Sequence, residues 1–148
     1  MLGGCIFGGS PFSKLFNNVR EKLSLAYYAT ARTERFKSTM FISCGIETDK
    51  YQAAYDEILV QYNKMLSGDI EDSEIENSKL YLYNRFNSMK DGLRTMEDYY
   101  LSQSIMNNKG EIDDLIRMTE KVTKEEIVDA FRKTKIDTVY FLKGNGVA

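Results

Sequence analysis

Apolar residues recur every three or four positions through most of this chain and alternate with polar ones in only three places. Leu15, Phe16, Val19 and Leu23 form one stripe, with Lys14, Asn17, Asn18, Glu21 and Lys22 on the wet side, and this spacing predicts an amphipathic helix over residues 11–23. Ser10 suits its cap and Pro11 its first turn. Before it, the glycine-rich segment 1–9 reads as the tail of a helix followed by a turn. Residues 25–35 and 39–47 are rich in Tyr, Thr, Ile and Phe, and the polar link Lys37-Ser38 makes them a hairpin. Alternation puts Tyr28, Thr30 and Arg32 on one face of the first strand, opposite Tyr27, Ala29 and Ala31. Met40, Ile42, Cys44 and Ile46 form the core side of the second.

Helical spacing then takes over. Tyr51, Ala54, Tyr55, Ile58, Leu59, Tyr62, Met65 and Leu66 share a face of a helix over 50–66 that Ser67-Gly68 stops. Ser73 and Glu76 have the spacing of a capping box for a third helix, whose stripe, from Leu82 through Phe86, Met89, Leu93, Met96 and Tyr100, persists to about Met106. A helix of that length is unusual, so a kink or break is expected at Asp91-Gly92. Residues 111–120 predict a short helix. Thr123 with Glu126 predicts a second capping box, and a helix follows to Thr134. Thr138 to Leu142 alternates again and meets Gly144-Asn145-Gly146. The expected fold is α+β: a two-layer α/β sandwich with a mainly antiparallel sheet of strands 25–35, 39–47 and 137–143, helices on one face, and an open face carrying polar and tyrosine side chains.

Composition narrows the chemistry. With 148 residues, 43% apolar and 28% charged, the chain suits a single domain with a real core. There is no histidine, the commonest general base and a principal zinc ligand, and Cys5 and Cys44 lie too far apart for the usual ligand pair. A metal centre or a self-contained hydrolase site within this chain is therefore not expected. Two cysteines form no disulfide framework, and with no apolar run long enough to span a bilayer and no basic leader, the reading is a cytoplasmic protein without a membrane partner. Net charge is −2 but uneven, +4 over residues 1–46 and −6 over the rest. Such a field attracts anionic groups to the hairpin side, although Arg32, Arg35 and Lys37 also suit a solvated strand edge. The glycines at 3, 4, 8 and 9 match neither a Walker loop nor a dinucleotide fingerprint, and read as close backbone packing. The acidic run from Asp69 to Glu76 lacks the calcium-loop pattern, and no nucleic-acid partner is expected, because helical stripes use most of the aromatics.

One pair stands out. Arg20 closes the first helix and Tyr27, seven residues on, opens the strand, so a guanidinium and a phenol, both donors, approach one place. The run Gly-Gly, Ser-Lys-Leu-Phe, Arg-Glu-Lys, Leu-Ala-Tyr, continued by Gly45-Ile46-Glu47 and by Asp72 to Lys79, resembles the C-terminal half of the insulinase, pitrilysin and mitochondrial processing peptidase family, the inverzincins, and is most similar to its bacterial paired zinc-peptidase-like proteins. The resemblance implies that residues 1–148 are one C-terminal, zinc-free domain lacking an upstream strand and helix, which the abrupt apolar start also suggests. It implies that zinc, where present, sits in the N-terminal half or a partner, with no cofactor in this chain. It further implies that Arg20 and Tyr27 hold the substrate carbonyl and its oxyanion, that the partners are a peptide or unfolded polypeptide and a homologous peptidase-like half, and that this chain alone is inactive. The alternative it leaves open is a catalytically silent subunit that shapes a chamber.

Overall fold

The computed structural model describes residues 1–144, in which two helical segments precede a β-hairpin and five helices follow it. The first helical segment, α1, is α-helical over Leu2–Gly4 and widens into a π-helical turn over Cys5–Gly9. It stops at Ser10, whose backbone is extended at φ −132° and ψ 161°. Pro11 and Phe12 then form a turn, closed by the Ser13 amide on the Ser10 carbonyl at 3.2 Å. The second segment, α2, begins three residues later than the sequence suggests. Its N-terminal donor, the Phe16 amide, is met by Ser13 Oγ at 3.4 Å, so Ser13 caps this helix and Ser10 does not. After two α-helical residues, Lys14 and Leu15, it too becomes π-helical, over Phe16–Lys22.

Strand β1 (Ala26–Glu34) pairs antiparallel with β2 (Thr39–Ile46) through a turn at 35–38 in which Ser38 adopts φ +50°. Ala29 faces Cys44, Ala31 faces Ile42 and Thr33 faces Met40; of the expected core side of β2, Met40, Cys44 and Ile46 are half-buried, whereas Ile42 is exposed. The glycines of α1 explain how closely it lies on that side. A Cβ on Gly8 would stand 2.5 Å from the backbone nitrogen of Ala31, and one on Gly4 would stand 2.8 Å from Thr33 Oγ1. Only glycine admits such an approach.

Helices α3 (Tyr51–Ser67), α4 (Asp72–Lys90), α5 (Leu93–Ile105), α6 (Ile112–Lys121) and α7 (Lys124–Arg132) form the covering layer. Gly68, in the left-handed region at φ +81°, closes α3. The expected break falls between α4 and α5, where Gly92 is extended and Thr95 Oγ1 donates to the carbonyls of Met89 and Gly92 at 2.9 and 2.8 Å. The box opening α4 is built by Glu71 and Glu74, two residues ahead of the predicted Ser73 and Glu76; Ser73 instead donates its hydroxyl to Glu71. Thr123 and Glu126 cap α7 as predicted, and Glu111 with Asp114 does the same for α6.

The core runs through α1. Phe7, fully buried, packs edge-on against Tyr62 of α3 and Phe131 of α7, with ring centroids 6.3 and 5.6 Å away, while the far side of α1 meets the strand. Lys14, almost fully buried, ties α2 to α4 through an ion pair with Glu74 at 2.8 Å.

The third strand is a correction. Among the described residues, 137–143 join no ladder, because a strand exists only where its backbone pairs, and this segment pairs with the free edge of neither β1 nor β2. Phe141 instead stacks on Tyr51 of α3, with centroids 4.3 Å apart. Asn145 and Gly146 of the expected terminal turn lie outside the described residues.

Candidate functional site

Arg20 sits in the last turn of α2. Its guanidinium carbon lies 4.7 Å from the centroid of the Phe16 ring, one helical turn earlier, and its Nε is 3.6 Å from Glu21 Oε1. This is a cation–π contact at an exposed site, and it keeps the planar fork beside an aromatic face. The helix then reverses through Ser24, at φ +48°, and the Leu25 amide closes the connection on the Val19 carbonyl at 3.0 Å. The strand begins two residues before Tyr28.

Tyr27 owes its position to an irregularity in the ladder. Ala26 pairs with Ile46 and Tyr28 pairs with Gly45, so Tyr27 is an extra residue, a β-bulge that interrupts the alternation. Strict alternation from Ala29 and Ala31 would turn Tyr27 toward the core. The bulge turns it out, and its side chain is 69% exposed. Its hydroxyl donates to Glu47 Oε1 at 3.2 Å. That hydrogen bond, followed by the charge on Glu47, pushes the phenol above its ordinary range. Tyr28 beside it lies across Gly45, where a Cβ would come within 2.3 Å of its ring.

The fold thus sets both predicted residues on exposed surface at the two ends of one tight helix-to-strand connection. No hydrogen bond joins them; each is held by its own acidic neighbour, Glu21 for Arg20 and Glu47 for Tyr27. Phe16 and Glu47 are the partners that a reading of spacing missed. Glu47 follows from the hairpin register, which no local pattern carries, whereas Phe16 was legible as the residue one turn before Arg20.

A cavity of about 350 Å³ lies elsewhere, between α5 and α6, against Tyr99, Gln103, Glu111 and Asp114. Its polar groups bond mostly to one another. Tyr99 donates its hydroxyl to the Gly110 carbonyl at 2.8 Å and accepts from Gln103 Nε2 at 2.6 Å, while Tyr100 donates to Glu111. Asp114 is held below the usual carboxylate range by the Glu111 amide and then by Arg117. These contacts fasten the α5–α6 junction and use different elements from those carrying Arg20 and Tyr27.

Among the described residues no group of three or more His, Cys, Asp or Glu is placed to hold a metal. Burial raises the thiols of both Cys5 and Cys44, which disfavours the thiolate a metal needs.

Residues 2–82, from α1 into α4 and including both Arg20 and Tyr27, match the family model described as "Peptidase M16 inactive domain". The chain belongs to that family. A curated relative from Bacillus subtilis (strain 168), named "Probable inactive metalloprotease YmfF", is 38% identical over 139 residues. Those residues are 94% of this chain and 33% of the relative, so the chain spans about a third of its length. A solved structure of a conserved protein from Enterococcus faecalis V583 superposes with a TM-score of 0.81 at 31% identity, over 88% of this chain and 31% of that one. A peptidase M16 inactive domain from Pseudomonas fluorescens superposes with a TM-score of 0.74 at 17% identity, over 91% of this chain and 33% of that one. A protease from Helicobacter pylori shares the fold at a TM-score of 0.75 and 17% identity, over 89% of this chain and 32% of that one. The M16 inactive-domain fold is thus shared with proteins about three times as long, and no helix of the described residues is long and apolar enough to cross a membrane.

Proposed function

We propose that this domain is the polypeptide-binding, metal-free half of a larger peptidase-like protein, in which Arg20 and Tyr27 donate hydrogen bonds to a substrate carbonyl. The observation that carries the reading is the bulge. It turns a protonated tyrosine to solvent from a strand position whose alternation would bury it, at the end of the connection that also displays Arg20. Two donors at the ends of one connection suit a carbonyl on which negative charge develops, where such donors act most strongly, with the Tyr27 hydroxyl exchanging Glu47 for the substrate. Zinc, in this reading, belongs to a homologous half or subunit, and the reading takes the protein to be cytoplasmic, which the free thiols of Cys5 and Cys44 support.

The test is binding of a labelled, unstructured polypeptide to the full-length parent protein, followed by fluorescence anisotropy, with zinc content measured on the same samples. Arg20→Ala and Tyr27→Phe are each expected to weaken binding about tenfold, the size of one charge-assisted or neutral hydrogen bond at a desolvated carbonyl, without moving the thermal midpoint. If the parent holds zinc and cleaves, Tyr27→Phe is expected to lower turnover on the order of 100-fold. Binding and turnover unchanged in both variants would overturn the assignment.

A further inference from the structure

The side of the hairpin turned away from α1 and α2 carries an ordered series of side chains. Beginning at the bulge it shows Tyr27 and then Tyr28, lying over Gly45; next the hydroxyl pair Thr30 and Ser43; then Arg32 opposite Phe41. The turn adds Phe36 and Lys37, while Arg35 lies toward the Met1 amine and Tyr99 on the helical side. Tyr28 is 49% exposed, Phe41 59% and Phe36 54%, and the Arg32 side chain is 84% exposed. Four aromatic rings at the surface of a hairpin this short form an apolar patch of the kind that marks a binding surface.

The charges on this face are graded. The carboxylates within it are engaged: Glu47 accepts from Tyr27, and Glu34 is half-buried with its oxygen 3.9 Å from Arg32. Lys37 takes part in no ion pair among the described residues, so cationic character is concentrated at the turn. Residues 47–148, which carry a net −6, supply the opposite field behind it.

Resting on the peptide-binding reading, we infer that the open face of the hairpin selects extended polypeptide segments that combine acidic with aromatic side chains, the acidic ones toward the turn at 35–38. Strands of eight and nine residues offer a track for about eight extended residues at about 3.3 Å each. Along that track the rings of Tyr27, Tyr28 and Phe41 stack on aromatic side chains, the Thr30 and Ser43 hydroxyls meet backbone groups, and Arg32 and Lys37 meet carboxylates. A nucleic-acid strand fits less well. Its phosphates need cations along the whole track, and here they gather at one end, in front of a net-negative helical layer.

The test uses the full-length parent protein with labelled peptides of about ten residues, one rich in Asp and Phe, one with Lys for Asp and one with Ala for Phe. At low salt the Asp/Phe peptide is expected to bind about tenfold tighter than its Lys counterpart, with the gap closing at high salt. Phe41→Ser is expected to weaken binding of the Asp/Phe peptide and leave that of the Ala peptide unchanged. Arg32→Glu is expected to reverse the charge preference with an unchanged thermal midpoint, because Arg32 is exposed. Equal or tighter binding of the Lys peptide, a preference that survives Arg32→Glu, or displacement of the acidic peptide by a single-stranded oligonucleotide of similar length overturns the inference and leaves the peptide-binding reading standing. Binding of none of the three peptides overturns both.

Discussion

Residues 48–132 build helices whose ends are closed by side chains within a few positions, whereas residues 2–46 rely on irregular backbone held by contacts from afar. In the first region Glu71 with Glu74, Glu111 with Asp114 and Thr123 with Glu126 satisfy the leading amides of three helices, Gly68 stops α3, and Gly92 opens α5. In the second, two segments are π-helical, Ser24 and Ser38 take positive φ, and β1 bulges at Tyr27. Local caps specify an element wherever it is placed. Irregular segments are specified only where something packs on them, and π-helical turns and bulges are over-represented at functional sites. The candidate site lies in the second region for that reason: exposed donors at unusual angles need a backbone that departs from regular geometry.

The contrast breaks most sharply at the contacts between the two regions. Gly8→Val is expected to have the largest effect, about 3 kcal/mol of lost stability by urea unfolding, since its Cβ would meet the Ala31 backbone, which cannot move without lifting α1 from β1. A loss under about 1 kcal/mol, the ordinary size of a single substitution, would show that the two regions are less tightly joined than the packing requires. Glu74→Gln should follow at about 2 to 3 kcal/mol, because it leaves the buried Lys14 ammonium without its counter-charge. The diagnostic is a double-mutant cycle in which Lys14→Met restores much of that loss. Additive losses would mean that the pair does not couple the regions.

Within the regularly capped region the expected effects shrink. Thr123→Ala removes one cap bond to the Glu126 amide and should cost about 1 kcal/mol, with no change in peptide binding. Smallest of all is a spectroscopic change in the irregular region. Glu47→Gln removes the carboxylate that holds the Tyr27 phenol up, so ultraviolet titration should show one tyrosine ionising at lower pH than before while the unfolding midpoint stays in place. A tyrosine titration identical in the two proteins would mean that the contact does not persist in solution.

The same division governs what was readable in the sequence. The helix over Tyr51–Ser67, the break at Asp91-Gly92 and the Thr123 box were legible because their determinants lie within a turn or two of one another. The box at Glu71 was displaced by two residues because glutamate is not among the strongly preferred cap residues, whereas Ser73 is a favoured type in a suggestive place. The start of α2 slipped because Ser10 and Pro11 carry the standard signal but are used for a turn, and Ser13 takes the cap. Alternation at Thr138–Leu142 was real as a pattern, but a strand requires a partner that local sequence does not supply. Arg20 and Tyr27 were both recognised as exposed candidates, yet the bulge that exposes Tyr27 was invisible. It depends on the register of Ala26 against Ile46, twenty residues apart.

The bulge has a consequence for how position 27 is free to vary. Every other residue of β1 answers to the sheet: Ala29 and Ala31 must be small to admit α1, and Tyr28 must lie over a glycine. A residue inserted outside the ladder answers to none of these demands, so the architecture would accept almost any side chain there with equal indifference. The ladder leaves that place open, and the occupant is a tyrosine.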